Sequence, residues 1–291
     1  TLRRFVYRLL FLLVAEEREL IFPETEKSDD AQRRVRDLYR RHYSLARFRM
    51  LAENRHRCDQ KAHNLWPELR DTFAIFEREE RGRPFGITPL DGELFDPRAL
   101  EILHNAAIGN DHLLAALHSL NGFLDKKANA RIRINYRGLD VEELGSVYES
   151  LLDLHPYVLG ADTARPTFAY STATERKTTG SYYTRHDLVA ELIRSALEPV
   201  VQQRLQQAGT APAARERALL ALRVCDPACG SGHFLLAAAR RLALELARVR
   251  TPDGDQPSRA AYRQALRDVI EHCIYGVDYN PDAVELCQVA L

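Results

Sequence analysis

Lysine is nearly missing from this chain: of 41 basic side chains in 291 residues, 5 are Lys and 36 are Arg. Net charge is missing too, because 41 Lys+Arg meet 41 Asp+Glu. The balance is local as well as global, with 28 of each sign in residues 1–180 and 13 of each in 181–291. No basic or acidic tail exists, so a polyanion partner has to be met by a local patch. Arginine forks onto phosphate, but genome base composition produces the same Arg excess, so the ratio alone does not argue for nucleic acid. Cysteine is sparse. Cys58, Cys225, Cys229, Cys273 and Cys287 are odd in number, which excludes a disulfide framework and fits reduced thiols in a cytoplasmic protein.

Long hydrophobic runs are absent. The most apolar stretch, Phe5 to Ala15, is about half the ~20 residues of a membrane span and has Arg8 inside it. No small-residue cleavage site precedes Glu16-Glu17-Arg18-Glu19, so it is not a signal peptide either. A buried helix remains, and no membrane partner is expected. With 14 Gly, 13 Pro and 45% hydrophobic residues, collagen-like and disordered classes are excluded and real cores are possible. The length fits one large or two medium domains. Thr1 already lies within a helical pattern, and the apolar rhythm still runs at Leu291. A fragment of a longer polypeptide is therefore expected.

Residues 1–155 read as all-helical. A buried helix ends at Phe22-Pro23. An Arg-rich stretch follows, with Val35, Leu38, Tyr39, Leu45, Phe48 and Leu51 as its apolar stripe. Further helical patterns cover 62–80, 97–122 and 140–154; the 97–122 pattern turns Ile102 and Leu113 inward. Residues 156–184 carry Pro156, Gly160, Pro166 and a polar run, and read as a long loop of the kind that is usually functional. A helix is expected over 187–207, then a turn at 208–212. Leu222 to Cys225 is a strand candidate that runs into Asp226-Pro227-Ala228-Cys229-Gly230-Ser231-Gly232. Helices over 233–249 and 258–271 come next, then a strand from Cys273 to Val277 ending at Asp278, and a last helix opening at Pro281. Strand, Gly-rich turn, helix, strand and acid together make a nucleotide-type α/β unit.

Gly230-Ser231-Gly232 lies where a strand hands over to a helix, the place where backbone can approach a ligand closely. Asp226 can anchor a ligand ammonium or order water, and Asp278 is placed to accept ribose hydroxyls. A dinucleotide fingerprint would need Gly where Leu235 stands, and a P-loop would need a Gly-Lys pair, which is absent. A ligand with adenosine but no phosphate fits better, which points to S-adenosylmethionine (AdoMet).

The segment Asp226 to Leu235 resembles the AdoMet-binding motif of DNA adenine-N6 methyltransferases, above all the large type IIG restriction–modification and phage-exclusion methylases. Gly180-Ser181-Tyr182-Tyr183-Thr184 resembles the family's upstream cofactor segment, and Tyr275 to Pro281 its ribose motif. Leu144 to Leu152 is similar to the helical segment before the catalytic domain. The resemblance covers about residues 90–291, with four segments in the family's order. It implies an all-helical N-terminal domain (1–155), a loop with the cofactor-closing Tyr-Tyr-Thr segment (156–186) and the first part of a Rossmann-like methyltransferase fold (187–291), an α+α/β architecture. It also implies AdoMet contacts from Tyr183, Thr184, Asp226, Ala228, Cys229, Gly230, Ser231, Gly232, Phe234, Asp278 and Tyr279. The reaction implied is methyl transfer to N6 of an adenine flipped out of double-stranded DNA.

One departure is plain. The family's Asn-Pro-Pro-Tyr/Phe acceptor segment is missing, since no Pro-Pro pair occurs and Asn280-Pro281 belongs to the ribose motif. No catalytic residue is therefore expected here. The segment is expected beyond Leu291, in the remainder of the polypeptide, which leaves the chain alone inactive. Methylation of another amino group, such as cytosine N4 or a glutamine amide, stays open, as does a non-catalytic DNA-binding or assembly module. Arg33, Arg36, Arg40 and Arg47 lie in a stretch with nine arginines that reads either as phosphate contact or as a solvated helix face. Tyr182 and Tyr183 also read as core aromatics. Cys225 and Cys229 are spaced across a turn without a matching pair, so no metal is expected. No oligomeric state follows from the sequence.

Overall fold

The computed structural model describes residues 2–22, 30–90, 92–125, 127, 129–139, 141–152, 154–160, 167–172, 184–251 and 255–291. The chain forms two compact units, 1–140 and 141–291. No helix among the described residues is long and apolar enough to cross a membrane.

The first unit is built around α1 (Leu2–Glu17), which buries Tyr7 through Ala15 except for half-buried Phe11. A helix apolar all round is a central helix, and the buried-helix reading of this stretch holds. Around it lie α2 (Asp30–His42), α3 (Leu45–Glu53), α4 (Leu65–Glu77), α5 (Glu79–Gly82), α6 (Glu101–His104) and α7 (Asn110–Leu120). Aromatic edges fill the core: Phe11 meets Phe95 at 5.5 Å, and Tyr39 meets Phe76 at 6.2 Å. Arg8 lies at its centre, fully buried. Its Nε donates to the Leu94 carbonyl at 2.5 Å and one terminal nitrogen to the Asp96 carbonyl at 2.8 Å. The other terminal nitrogen pairs with Glu77. Phe73 and Phe95 lie 5.6 and 5.3 Å from the guanidinium.

Glu16 joins three elements. Its carboxylate accepts the Leu45 and Ala46 amides at 2.8 and 2.9 Å, at the open N-terminus of α3, and the Tyr39 hydroxyl at 2.8 Å. Burial holds the Glu16 carboxyl above the usual carboxylate range while these three donors pull it down. Glu16→Gln keeps the size but offers one acceptor oxygen instead of two. It is expected to cost about 1–3 kcal/mol in urea unfolding, because at least one buried donor loses its partner.

Two hairpins correct the sequence reading. The first unit is not all-helical: β1 (Gly122–Asp125) pairs antiparallel with β2 (Ala130–Arg133), Phe123 facing Ile132 in register. Phe123, Leu124 and Ile132 are exposed, so no inside–outside alternation marks these strands in the sequence. In the second unit, β3 (Leu154–Leu159) pairs antiparallel with β4 (Thr167–Thr172), where a loop was expected. Pro156 is tolerated in a strand with a free edge, and Tyr157, Val158 and Phe168 are β-formers left exposed. Ile102, expected inward, is 78% exposed.

The second unit begins with α8 (Val141–Leu152), which packs against the last helix of the chain. The division between units therefore falls ahead of residue 155, where the sequence reading ends its helical domain. The helix expected over 187–207 is α9 (His186–Leu192), a wide π turn (Ile193–Leu197) and α10 (Glu198–Ala208). Pro199 lacks the N–H that an ordinary turn would need there, and the Glu198 amide reaches back to the Ile193 carbonyl instead. Next comes α11 (Pro212–Leu220), which the sequence reading passed over.

Then β5 (Val224–Asp226), α12 (His233–Arg250), α13 (Arg259–Cys273), β6 (Ile274–Gly276) and α14 (Pro281–Ala290) follow in the expected order. β5 and β6 pair in parallel, Asp226 opposite Gly276. The core beneath them is Leu242, Ala243, Leu246 and Ala247 of α12 against Ala265 and Val269 of α13, small residues letting the helices approach. Arg250 ties the end of α12 to Glu216 (2.7 Å) and Asp268 (2.6 Å).

Candidate functional site

The site lies at the C-terminal ends of the two parallel strands. β5 ends at Asp226, whose carboxylate accepts the Ala228 amide at 3.0 Å and starts the turn. Backbone bonds stitch the turn to the chain leaving β6: the Val277 amide donates to the Asp226 carbonyl and the Cys229 amide to the Val277 carbonyl, both at 2.9 Å. Asp278 then fixes the Gly-rich segment. One of its oxygens accepts the Gly230 amide at 2.8 Å and the other accepts the Asn280 amide at 2.8 Å. Asn280 in turn caps α14 by accepting the Asp282 amide at 3.0 Å. One carboxylate thus holds the turn and the start of the next helix together, and each oxygen keeps a lone pair for a ligand hydroxyl.

Gly232 is required twice over. Its φ is +87°, in the left-handed region, and a Cβ there would sit 2.6 Å from the Cys287 Sγ of α14. Gly276 is equally confined, since a Cβ would meet Leu235 at 2.8 Å and Cys229 Sγ at 3.1 Å. The small residues let α12 and α14 close directly on the strand ends.

Ser231, buried, lies under α8, where a Cβ at Gly145 would be 3.0 Å from its hydroxyl. The Leu144–Leu152 segment is thereby brought to the Gly-rich turn. The buried His233 ring, at the first turn of α12, stacks on His186 of α9 at 6.1 Å and 19°. Phe234 joins Asp226, Pro227 and Ala228 in lining an open, largely apolar cleft of about 510 Å³ beside β5, closed on its far side by Leu192, Ile193 and Val200. Tyr279 is 91% exposed beside Asp278. Thr184 is half-buried just ahead of α9, while Tyr182 and Tyr183 lie outside the described residues. Asp226, Ala228, Cys229, Gly230, Ser231, Gly232, Phe234, Asp278 and Tyr279 all fall around this one turn. Cys287 and His186 were not read from the sequence as site residues, and Gly276, Gly145 and His233 lie within its motifs but were given no role of their own. They are single residues whose roles arise only from helix packing.

The charge of the site is one-sided. Residues 224–239 and 274–291 hold Asp226, Asp278, Asp282 and Glu285 and no Lys or Arg. The carboxylates of the turn repel a phosphate and favour a ligand that brings positive charge and hydroxyls, while Arg223 lines the cleft on the other side of β5.

The buried Cys229 and Cys287 thiols hydrogen-bond beneath the turn. Burial raises both, Cys287 from the usual 9.0 to about 12. The folded state therefore keeps a proton that the unfolded chain loses, so this stability is intact below pH 9 and falls as pH rises toward 12. The slope for one such thiol is about 1.4 kcal/mol per pH unit. Urea unfolding just below pH 9 and about one unit above it should show this loss, and Cys287→Ala should make it shallower.

The α2–α3 arginines fall into different settings. Arg40 is exposed, Arg33 pairs with Asp30 at 3.5 Å, and Arg36 lies 5.5 Å from the Phe22 ring. Arg47 is engaged with Glu68 at 2.6 Å and packs over Phe48.

No family model matches the chain. Over 80 residues, 28% of this chain, it is 40% identical to adenine-specific methyltransferase PglX of Streptomyces coelicolor, of which that stretch is 6%. In fold, the whole chain matches 32% of the type IIL restriction–modification enzyme MmeI, whose structure was solved in complex with DNA (TM-score 0.53, 19% identity). The chain thus spans about a third of the solved relative. It resembles part of an adenine methyltransferase of the restriction–modification kind, in sequence through PglX and in fold through MmeI, the resemblance that its motifs carry.

Proposed function

We propose that this chain is a helical domain followed by the AdoMet-binding first part of a Rossmann-like DNA adenine-N6 methyltransferase, working in a cytoplasmic restriction–modification or phage-defence system. The observation that carries this reading is the Asp278 carboxylate, which fixes the Gly230 amide and keeps acceptor capacity on both oxygens at the end of a parallel strand pair.

The residues fit the cofactor. Asp278 would take the two ribose hydroxyls, and the Gly230-Ser231-Gly232 backbone would lie against the methionine part. Asp226 and the acidic turn suit its ammonium and sulfonium charges. Ala228, Cys229 and Phe234 would shape the wall, Tyr279 offers an exposed ring, and the resemblance assigns Tyr183 and Thr184 the role of closing over the cofactor. When bound, AdoMet supplies the electrophilic methyl group. This chain's own part is to hold and orient it.

The acceptor site is assigned to the remainder of the same polypeptide, because the 291 residues contain no Pro-Pro pair. Among the described residues β5 has one strand neighbour, β6, which leaves room for the further strands that a Rossmann-like sheet would add. Double-stranded DNA is the proposed substrate, with the exposed face of α2, through Arg33, Arg36 and Arg40, contacting phosphate. Arg47 is committed to Glu68 and contributes less.

The test is nucleoside mass spectrometry of DNA incubated with AdoMet and the full-length protein. N6-methyladenine is expected with the full-length protein and no methylation with this chain alone. N4-methylcytosine, or methylated protein amide and unmodified DNA, would assign the other acceptor.

A further inference from the structure

We propose that the β1–β2 hairpin of the first unit is a DNA-contacting ribbon, with its Phe123/Ile132 face in the major groove of a duplex and its cations on the flanking phosphates. The proposal rests on the reading that duplex DNA is the substrate, and it adds a contact surface separate from α2.

The hairpin is bare. Phe123, Leu124 and Ile132 are 54%, 59% and 40% exposed, and the register sets Phe123 opposite Ile132 and Leu124 opposite Arg131. Residues opposite each other in an antiparallel pair share a face, so Phe123 and Ile132 form one face and Leu124 and Arg131 the other. The Arg131 guanidinium turns back onto the unit, donating to the His118 carbonyl of α7 and to the Gly122 carbonyl at 2.9 Å. The Phe123/Ile132 face is thereby turned outward. A two-stranded ribbon is marginal by itself, but this one is held at its base. The Ile134 amide donates to the Asn121 carbonyl at 2.9 Å, and the Tyr136 hydroxyl to the Leu120 carbonyl at 2.8 Å. An anchored arm with large apolar side chains left in water is a surface built to be covered.

The charge names the occupant. Residues 122–133 carry Lys126, Lys127, Arg131 and Arg133 against Asp125 alone, in a chain of zero net charge, and hold two of its five lysines. Lysine is depleted where proteins meet proteins, whereas cations flanking an apolar strip suit a polyanion. Asp125 is occupied in the turn, where it accepts the Lys127 amide at 2.8 Å. Glu53 of α3 lies 3.4 Å from Arg133, a pair exposed on both sides and therefore weak. A two-stranded ribbon fits the roughly 12 Å major groove of B-DNA, where apolar side chains meet thymine methyl groups. Lys127 and Arg133 supply the phosphate contacts, while Arg131 stays on the protein.

The 291-residue chain is titrated into a short fluorescently labelled duplex, and anisotropy is read at several chloride concentrations. Lys127→Gln/Arg133→Gln is expected to weaken binding about tenfold or more and to flatten the log–log salt slope by about 2, one unit for each lost phosphate contact. Phe123→Thr/Ile132→Thr keeps β-forming residues and every charge, so it is expected to weaken binding about tenfold with the salt slope unchanged. Urea unfolding followed by Trp66, the one tryptophan of the chain, checks that the unit is folded in both variants. Unchanged affinity in either variant overturns the proposal, as does a parent chain that binds no duplex. Sedimentation showing a self-associating parent and a monomeric Phe123→Thr/Ile132→Thr overturns it in favour of a second copy on this face. Unchanged variants of a duplex-binding parent leave the DNA reading standing, and N6-methyladenine formation by the full-length protein tests that reading separately.

Discussion

Arg8→Ala is expected to destabilise the first unit by about 3–5 kcal/mol, the usual consequence of removing one partner of a buried ion pair. The guanidinium is fully buried and is the cation paired with Glu77, itself only 6% exposed. Its removal also strips the Leu94 and Asp96 carbonyls of donors and opens a gap between Phe73 and Phe95. Urea unfolding followed by the Trp66 signal measures the loss, because Trp66 belongs to the same unit. Arg8→Met with Glu77→Leu should recover part of it, since removing both charges ends the uncompensated burial. A loss below about 1 kcal/mol for Arg8→Ala would mean that the pair does not organise this core.

Gly232→Ala is the second large effect. A left-handed φ costs an L-residue roughly 1–2 kcal/mol, and the 2.6 Å approach to Cys287 Sγ forces α14 or the turn to move. Together, about 2–4 kcal/mol of stability should be lost, and AdoMet affinity with it, because the shift occurs at the Gly-rich turn. The double variant Gly232→Ala/Cys287→Ala separates the causes. It relieves the contact with sulfur and leaves the φ strain, so it should restore only part of the loss. Full restoration would show that backbone conformation is not limiting.

Where burial imposes a period or chemistry imposes a residue type, the sequence is informative. The apolar run of α1 is legible because every side is covered, and Asp226, the Gly-rich turn and Asp278 are legible because strand ends and tight turns restrict the residues allowed. Both hairpins are invisible for the opposite reason. Their apolar residues, such as Phe123 and Phe168, face outward on both sides, so no alternation distinguishes strand from loop. The π turn hides because Pro199 also looks like an ordinary first-turn proline. Cys287 lies 55 positions after Gly232, and only the close packing of α14 gives that cysteine its meaning at the site. The arginines illustrate the limit from the other side. Arg33, Arg40 and Arg47 look alike in the sequence, but folding commits Arg47 to Glu68 and leaves Arg40 exposed.

The measurement that bears most directly on the central claim is calorimetric titration of AdoMet into this chain and into Asp278→Ala. The account predicts saturable binding to the parent chain and a loss of about 100-fold or more in the variant, which loses both the ribose acceptor and the anchor of Gly230. Circular dichroism of the variant checks that the helices remain. Binding that is unchanged in Asp278→Ala, or absent from a parent chain shown to be folded, would contradict the account.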